Sequence, residues 1–376
     1  FFVDDIYSID GPAEKNLKLN IEPPPPIKKY LVPKWFMRDA NWTPDFPRAA
    51  EQVIWFYNKE KRSASAPAPQ MRGGASADEV DGVIAFDPEL AGGLMSLVGD
   101  LEVDGKVYTP ENLLDLLQYE VEVGYFEKDT PFFDRKKVVG ELAQLMVDRL
   151  KSLSAAKWLD LLEIIERSLS EKHLLLYDHD QVVESFYKNQ DWGGEVKSVP
   201  TNSDYLFVVD SNLASLKTDR VIDRAVNYTV EKKDGKLVVH LELDYQNNGW
   251  FDYRTSRLRS YTRVYVPQGS RLISAKGIMD KERSRDNEPA DVYDEFDKTV
   301  FGGFFAVEPK TDHKLIFEYE LPTTVNANLE KDGVYTLFVQ KQPGITGRKT
   351  EVMIRLDDGK ERAWESDLKT DEEVIF

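Results

Sequence analysis

Two short stretches combine residue types that could do chemistry. Arg38-Asp39 places a guanidinium, which can grip a phosphate through two parallel N–H bonds, beside a carboxylate able to hold a hard cation. Asp134-Arg135-Lys136-Lys137 puts three cations where a long helix is expected to begin, and a helix N-terminus already favours anions. Each also has a plainer reading: a structural ion pair at a strand end for Arg38-Asp39, an N-cap for Asp134, and a solvated basic first turn for the cations.

Other chemistries are narrowed by composition. The chain has no cysteine, so disulfides, thiolate metal sites and cysteine nucleophiles are excluded. Its four histidines are scattered, and only His173 and His179 lie close in sequence, which disfavours a histidine-rich metal site. A formal net charge of -18, spread over both halves, disfavours nucleic-acid binding and resists anionic membranes. No run of about 20 apolar residues exists to span a bilayer. With 376 residues, 41% of them hydrophobic, the chain can build at least two packed domains.

The elements expected to position these residues fall into two regimes. Over residues 1–197 strands alternate with helices, which predicts a layered α/β fold. Pro23 to Pro26 predicts extended polyproline geometry, leading to a strand at Lys34 to Met37. A helix should start at Asp45-Phe46-Pro47, and residues 63–77 read as a flexible insert. Val80 to Phe86 predicts a strand, Asp87-Pro88-Glu89 a capped helix, and Leu101 to Val103 another strand. Thr109-Pro110-Glu111 repeats the capped start. Further helices are expected from Asp134, from about Ala155 to Leu169, and from Gln181 to Asn189.

From about residue 198 to 356 the period changes from 3.6 to 2, and Lys233-Asp234-Gly235-Lys236 signals a hairpin, so a β-sandwich is expected. Gly302-Gly303 reads as a bulge or tight bend, 280–295 as a charged loop, and 357–376 as a polar tail with room for one short strand. Trp35, Trp42 and Trp55 read as core or domain-contact aromatics rather than sugar platforms.

The segment MRDANWTPDFPRAAEQVIWFY, followed by DGVIAFDPELAGGLMSLVGDLEV and TPEN, resembles the bacterial family known as domain of unknown function 4012. SNLASLKTDR, TRVYVPQGSRL and LFVQKQPG look like the β region that follows in its members. The first domain of that family is in turn similar to the LytR-CpsA-Psr proteins, envelope enzymes that move glycopolymers from polyprenyl-pyrophosphate carriers onto peptidoglycan. That resemblance implies a LytR-CpsA-Psr-like α/β/α domain, with Arg38, Asp39 and Arg135 as catalytic counterparts. It also implies Arg38, Arg135, Lys136 and Lys137 as substrate-binding residues, and Asp39 as a ligand of Mg²⁺.

Departures from the enzyme pattern weigh against catalysis. The second Arg and the Gln of its long-helix motif are absent here, with Val138 and Val139 in that region, and apolar side chains cannot bind a diphosphate. The upstream strand that supplies a further metal-binding Asp finds no counterpart. The expectation is therefore a non-catalytic binding or structural module outside the cytoplasmic membrane, in the envelope or at the surface, tethered by an N-terminal anchor beyond this chain. The alternatives are a glycopolymer phosphotransferase or pyrophosphatase and a surface-assembly or filament subunit. The partners these readings imply are a cell-wall glycopolymer or polyprenyl-pyrophosphate lipid, other envelope proteins, or further copies of the chain.

Overall fold

The computed structural model describes residues 17, 19–61, 80–130, 135–355 and 361–376; the expected insert at 63–77 and the expected cap Asp134 lie outside them. The chain is mixed α/β and divides into two compact units. The first comprises 1–24 and 32–195; the second comprises Pro25–Leu31 and Val196–Phe376. No helix among the described residues is long and apolar enough to cross a membrane.

The early segment departs from expectation twice. Pro25 and Pro26 open a short helix, α1 (Pro25–Tyr30), because proline is tolerated in a first turn, where its missing N–H needs no partner. Lys34 to Met37 forms no strand; Met37–Asp39 is a 3₁₀ turn instead.

In the first unit, α2 (Phe46–Lys61) begins where Asp45 accepts from the backbone N–H of Arg48 (3.3 Å). β1 (Gly82–Phe86) leads into α3 (Pro88–Val98), capped by the Asp87 carboxylate on the N–H of Glu89. β2 (Leu101–Val103) and β3 (Lys106–Tyr108) form a hairpin. Then come α4 (Leu113–Tyr119), a π-helical turn (Glu120–Gly124) and α5 (Tyr125–Glu127). The long helices α6 (Lys137–Lys151) and α7 (Ala155–Ser170) follow. β4 (Leu174–Asp178) runs antiparallel to β1, and α8 (Gln181–Asn189) completes the unit. Among the described residues its strands make two two-stranded antiparallel sheets rather than one wide sheet. The main apolar cluster joins Met95, Leu101, Tyr108, Leu113 and Leu142.

The second unit packs two six-stranded mixed sheets. One contains β5 (Asp204–Asn212), β8 (Leu258–Pro267), β10 (Asp291–Glu295), β11 (Lys298–Val307), β13 (Thr336–Gln340) and β16 (Glu372–Ile375), ordered β10-β11-β8-β5-β13-β16. The other contains β6 (Ile222–Lys233), β7 (Lys236–Asn247), β9 (Arg271–Lys276), β12 (Asp312–Glu320), β14 (Lys349–Arg355) and β15 (Glu361–Ser366), ordered β15-β14-β6-β7-β12-β9. A helix, α9 (Thr323–Asp332), joins β12 to β13. The hairpin between β6 and β7 turns at Asp234 and Gly235, both at positive φ. β13 pairs with β5 in parallel, and β14 with β6.

Several strands here were not expected, among them β10 at the end of the charged loop and β15 in the polar tail, whereas β16 is the one short strand for which that tail had room. Gly302 and Gly303 form no bulge, since β11 pairs with β8 in unbroken register. Their role is close approach: a Cβ on Gly302 would lie 2.3 Å from the Tyr261 hydroxyl, and one on Gly303 2.7 Å from the Ile278 side chain. Tyr261 cannot easily yield, because it is buried and hydrogen-bonded to Asp291.

β5 explains why the sheets face each other as they do. Leu206 and Val208 point into the shared apolar core, while Tyr205, Phe207 and Val209 bury on the opposite face. By the same alternation Asp204 and Asp210 point inward at the two ends of the strand. Asp204, fully buried, accepts from the Tyr228 hydroxyl of the other sheet (2.5 Å), from the Tyr335 hydroxyl and from the Tyr205 N–H (2.7 Å). Asp210 accepts from Tyr245 (2.8 Å) and Thr262 (2.6 Å) and pairs with Arg224 (3.1 Å) and Arg348 (2.6 Å).

Their titrations diverge accordingly. Burial pushes the Asp204 carboxyl up to about 6, against its hydrogen bonds. Burial acts the same way on Asp210, but the Arg348 and Arg224 charges outweigh it and hold that carboxyl below its ordinary value. A raised folded-state value means that the Asp204 contribution is fully present below the unfolded-state value and is lost as pH rises through about 6. Asp204→Asn should therefore remove a pH-dependent difference of about 3 kcal/mol between pH 4 and 7 in urea unfolding. An unchanged slope in the variant would show that Asp204 does not titrate in this window.

Candidate functional site

Arg38 and Asp39 lie on the 3₁₀ turn, and the turn is held from both sides. The Trp35 indole donates to the Asp39 carbonyl (2.9 Å), and the Met37 N–H donates to the buried Glu60 carboxylate on α2 (3.1 Å). Trp35 and Trp55 both pack edge-on against Phe56, at 5.4 and 5.0 Å, consistent with core aromatics. Within this frame the Arg38 Nε sits 3.4 Å from Asp39 Oδ2, and the guanidinium lies over the Phe36 ring at 5.5 Å. A phosphate gripped through the Arg38 Nε–H would compete with Asp39 for that group.

The second candidate group lies at the start of α6. The Arg135 guanidinium is 4.0 Å from the Glu122 carboxylate on the π turn. Lys136 occupies the cap position, and Lys137 pairs with Glu141 one turn along (3.3 Å). This group therefore meets a different carboxylate from Arg38. It also belongs to a different cluster: α6 packs through Leu142 with Met95 and Tyr108, whereas the Arg38 turn packs with Leu17, Ala40 and Phe56.

Beside Arg135 is a constellation that sequence reasoning missed. Glu120, 4% exposed, lies between Lys106 and Lys128; the Lys128 ammonium is 2.9 Å from its carboxylate and 3.2 Å from Asp104. Burial would raise the Glu120 carboxyl, but hydrogen bonds from the two lysines bring it below its ordinary value. The π turn places it there, and Gly124 leaves it room, since a Cβ at that position would stand 3.0 Å from the carboxylate. One signal was present: Leu113, Leu116, Leu117 and Glu120 share the spacing of one helical face.

The histidines serve other ends. His173 Nδ1 lies 2.6 Å from Asp87 Oδ2 and its Nε2 3.6 Å from Glu171, tying the start of β4 to the cap of α3. His179 Nδ1 lies 3.3 Å from the Tyr177 hydroxyl, which also donates to Glu51 (3.3 Å). The two histidines flank β4 at opposite ends. Among the described residues no group of three or more His, Asp and Glu side chains could hold a metal ion. A Mg²⁺ on Asp39 would thus meet one carboxylate already facing Arg38, and these residues do not fit it.

Residues 22–121 match the family described as "Protein of unknown function (DUF4012)". The similarity to that family is confined to this segment. The match takes in the Arg38 turn, α2, the capped helix α3, the β2-β3 hairpin and the first two residues of the Glu120 turn, and stops short of Arg135. No curated protein matches the chain significantly. Similar solved structures include a putative nutrient binding protein from Legionella pneumophila, at 7% identity and a TM-score of 0.24, covering 40% of this chain and 54% of that one. Another is a mutant M1 zinc metallopeptidase from Deinococcus radiodurans bound to a Tyr-Ser-Ala substrate, at 11% identity and a TM-score of 0.20, covering 39% and 33%. The chain spans about half the length of the first and a third of the second, and TM-scores this low carry no argument about fold or function.

The Glu120 arrangement is expected to be structural. Glu120→Ala, which leaves two lysines around a vacated buried position, should destabilise the first unit by about 1–3 kcal/mol in urea unfolding. Arg38→Ala, which breaks a partly exposed pair, should cost under about 1 kcal/mol. Equal costs for the two would contradict the difference in burial.

Proposed function

We propose that this DUF4012 chain is a non-catalytic binding or structural module of the bacterial cell envelope, carried outside the cytoplasmic membrane, whose first unit derives from a LytR-CpsA-Psr-like scaffold. The observation that carries the reading is that most of the candidate cations face carboxylates. Arg38 faces Asp39, Arg135 faces Glu122 and Lys137 faces Glu141, while Lys106 and Lys128 are drawn to Glu120. Diphosphate binding requires cations that converge on the ligand with their charge uncommitted. The missing second Arg and Gln of the long-helix motif, with Val138 and Val139 in that region, agree with a chain that has left catalysis behind.

The test uses the full chain with geranylgeranyl pyrophosphate and Mg²⁺. No phosphate release above the protein-free control is expected, and no metal-dependent rise in melting temperature. Release that is abolished by Arg38→Ala would overturn the proposal and restore a phosphotransferase or pyrophosphatase acting through Arg38, Asp39 and Arg135.

A further inference from the structure

One end of the sandwich exposes aromatic side chains on a loop that is fixed rather than loose. The loop 248–256 joins β7 to β8, and on it Trp250 is 63% exposed, Phe251 57% and Tyr253 41%. Its base is the fully buried Asn247, whose amide donates to the carbonyls of Ser256 (3.1 Å) and Val307 (3.0 Å) and accepts from the Gly249 N–H (2.9 Å). Thr255 Oγ1 accepts from the Trp250 N–H (2.9 Å) and donates to the Trp250 carbonyl (2.8 Å). Asp252 accepts from the N–H groups of Arg254 and Thr255, both at 2.8 Å.

The neighbouring loop adds to the same surface. Lys217 N–H donates to the Arg254 carbonyl (3.0 Å), and Asn248 N–H to the Val221 carbonyl (2.9 Å). On that loop Leu216 is 53% exposed and held at φ 56°, a conformation that disfavours a branched apolar residue. Both loops thus spend hydrogen bonds, and the Leu216 loop backbone strain as well, on presenting apolar side chains to water.

We propose that this tip, formed by Leu216, Trp250, Phe251 and Tyr253, docks into the interfacial region of a lipid bilayer. Consecutive large side chains at a bend suit a medium that needs no complementary shape, and Trp and Tyr favour the bilayer-water boundary, where one end of the ring is apolar and the other wet. Charge points the same way. The chain carries -18, whereas these loops carry Lys217, Arg220 and Arg254 against Asp219 and Asp252, so the tip does not share the net negative charge of the chain. Arg254 also lies over the Tyr253 ring at 5.5 Å, a cation beside the least exposed aromatic. The contact would be peripheral, by insertion of side chains and not of a spanning helix.

Flotation of the full chain with phosphatidylcholine vesicles tests this directly. Binding is expected in phosphatidylcholine alone and should weaken when phosphatidylglycerol is added at low salt, because the rest of the molecule is acidic. Replacing both residues, Trp250→Ser and Phe251→Ser, should lower partitioning at least about tenfold. The melting temperature should not change, since both side chains are exposed. Val182→Ser, at an exposed apolar position of the first unit, should bind as the unaltered chain does. Failure of the unaltered chain to float, or undiminished flotation of the double variant, would overturn the proposal. So would a concentration-dependent dimer abolished by the same two substitutions, which would assign the tip to a protein contact.

Discussion

Two carboxylates at the ends of one strand constrain the second unit. β5 carries Asp204 and Asp210 on its inner face, and each reaches across to the opposite sheet: Asp204 to Tyr228, Asp210 to Tyr245 and Arg224. Burying a carboxylate is costly unless donors surround it, so these contacts can form only when the sheets take one relative position. Asp210 also fixes the connection between β13 and β14. Gln342 donates to its carbonyl (2.9 Å) and accepts from its N–H (2.8 Å), and Arg348, just before β14, closes the ion pair. The two parallel pairings, β13 on β5 and β14 on β6, flank that connection, one in each sheet.

This arrangement explains which parts of the fold could be read from sequence. Helix starts with their own local chemistry were legible, as at Asp87-Pro88, where cap and first turn are adjacent residues. The β6-β7 hairpin was legible for the same reason. Some strands buried on both faces were not, as over β11, where two glycines obscured the run. β4 follows α7 as the unbroken run Leu174-Leu175-Leu176-Tyr177, which has neither period. Pro25 and Pro26 misled because position within a helix, not composition, decides whether proline is tolerated.

The candidate site divides along the same line. The contacts of Arg38 with Asp39 and of Lys137 with Glu141 were visible as local spacing, but other pairings join residues more distant in sequence. Glu122 stands 13 residues before Arg135, and Lys106 14 before Glu120. Charge pairing of that kind depends on a π turn and a hairpin folding together, which no local pattern specifies. A chain can therefore keep the residue types of a phosphate site while its tertiary contacts commit the charges elsewhere. The exposed aromatics of loop 248–256 show the converse, since single residues in a polar loop gain meaning only when Asn247 and Thr255 are seen to hold them in place.

The buried ion pair that joins the strand to the β14 approach can be measured by a double-mutant cycle. Asp210→Asn, Arg348→Met and the combination would be compared by urea unfolding of the full chain at neutral pH. Each single change should cost roughly 3 kcal/mol or more, because it leaves the other group buried without its charge partner. The double variant should cost less than the sum by at least about 1.5 kcal/mol. Additive costs would contradict the central role given to Asp210.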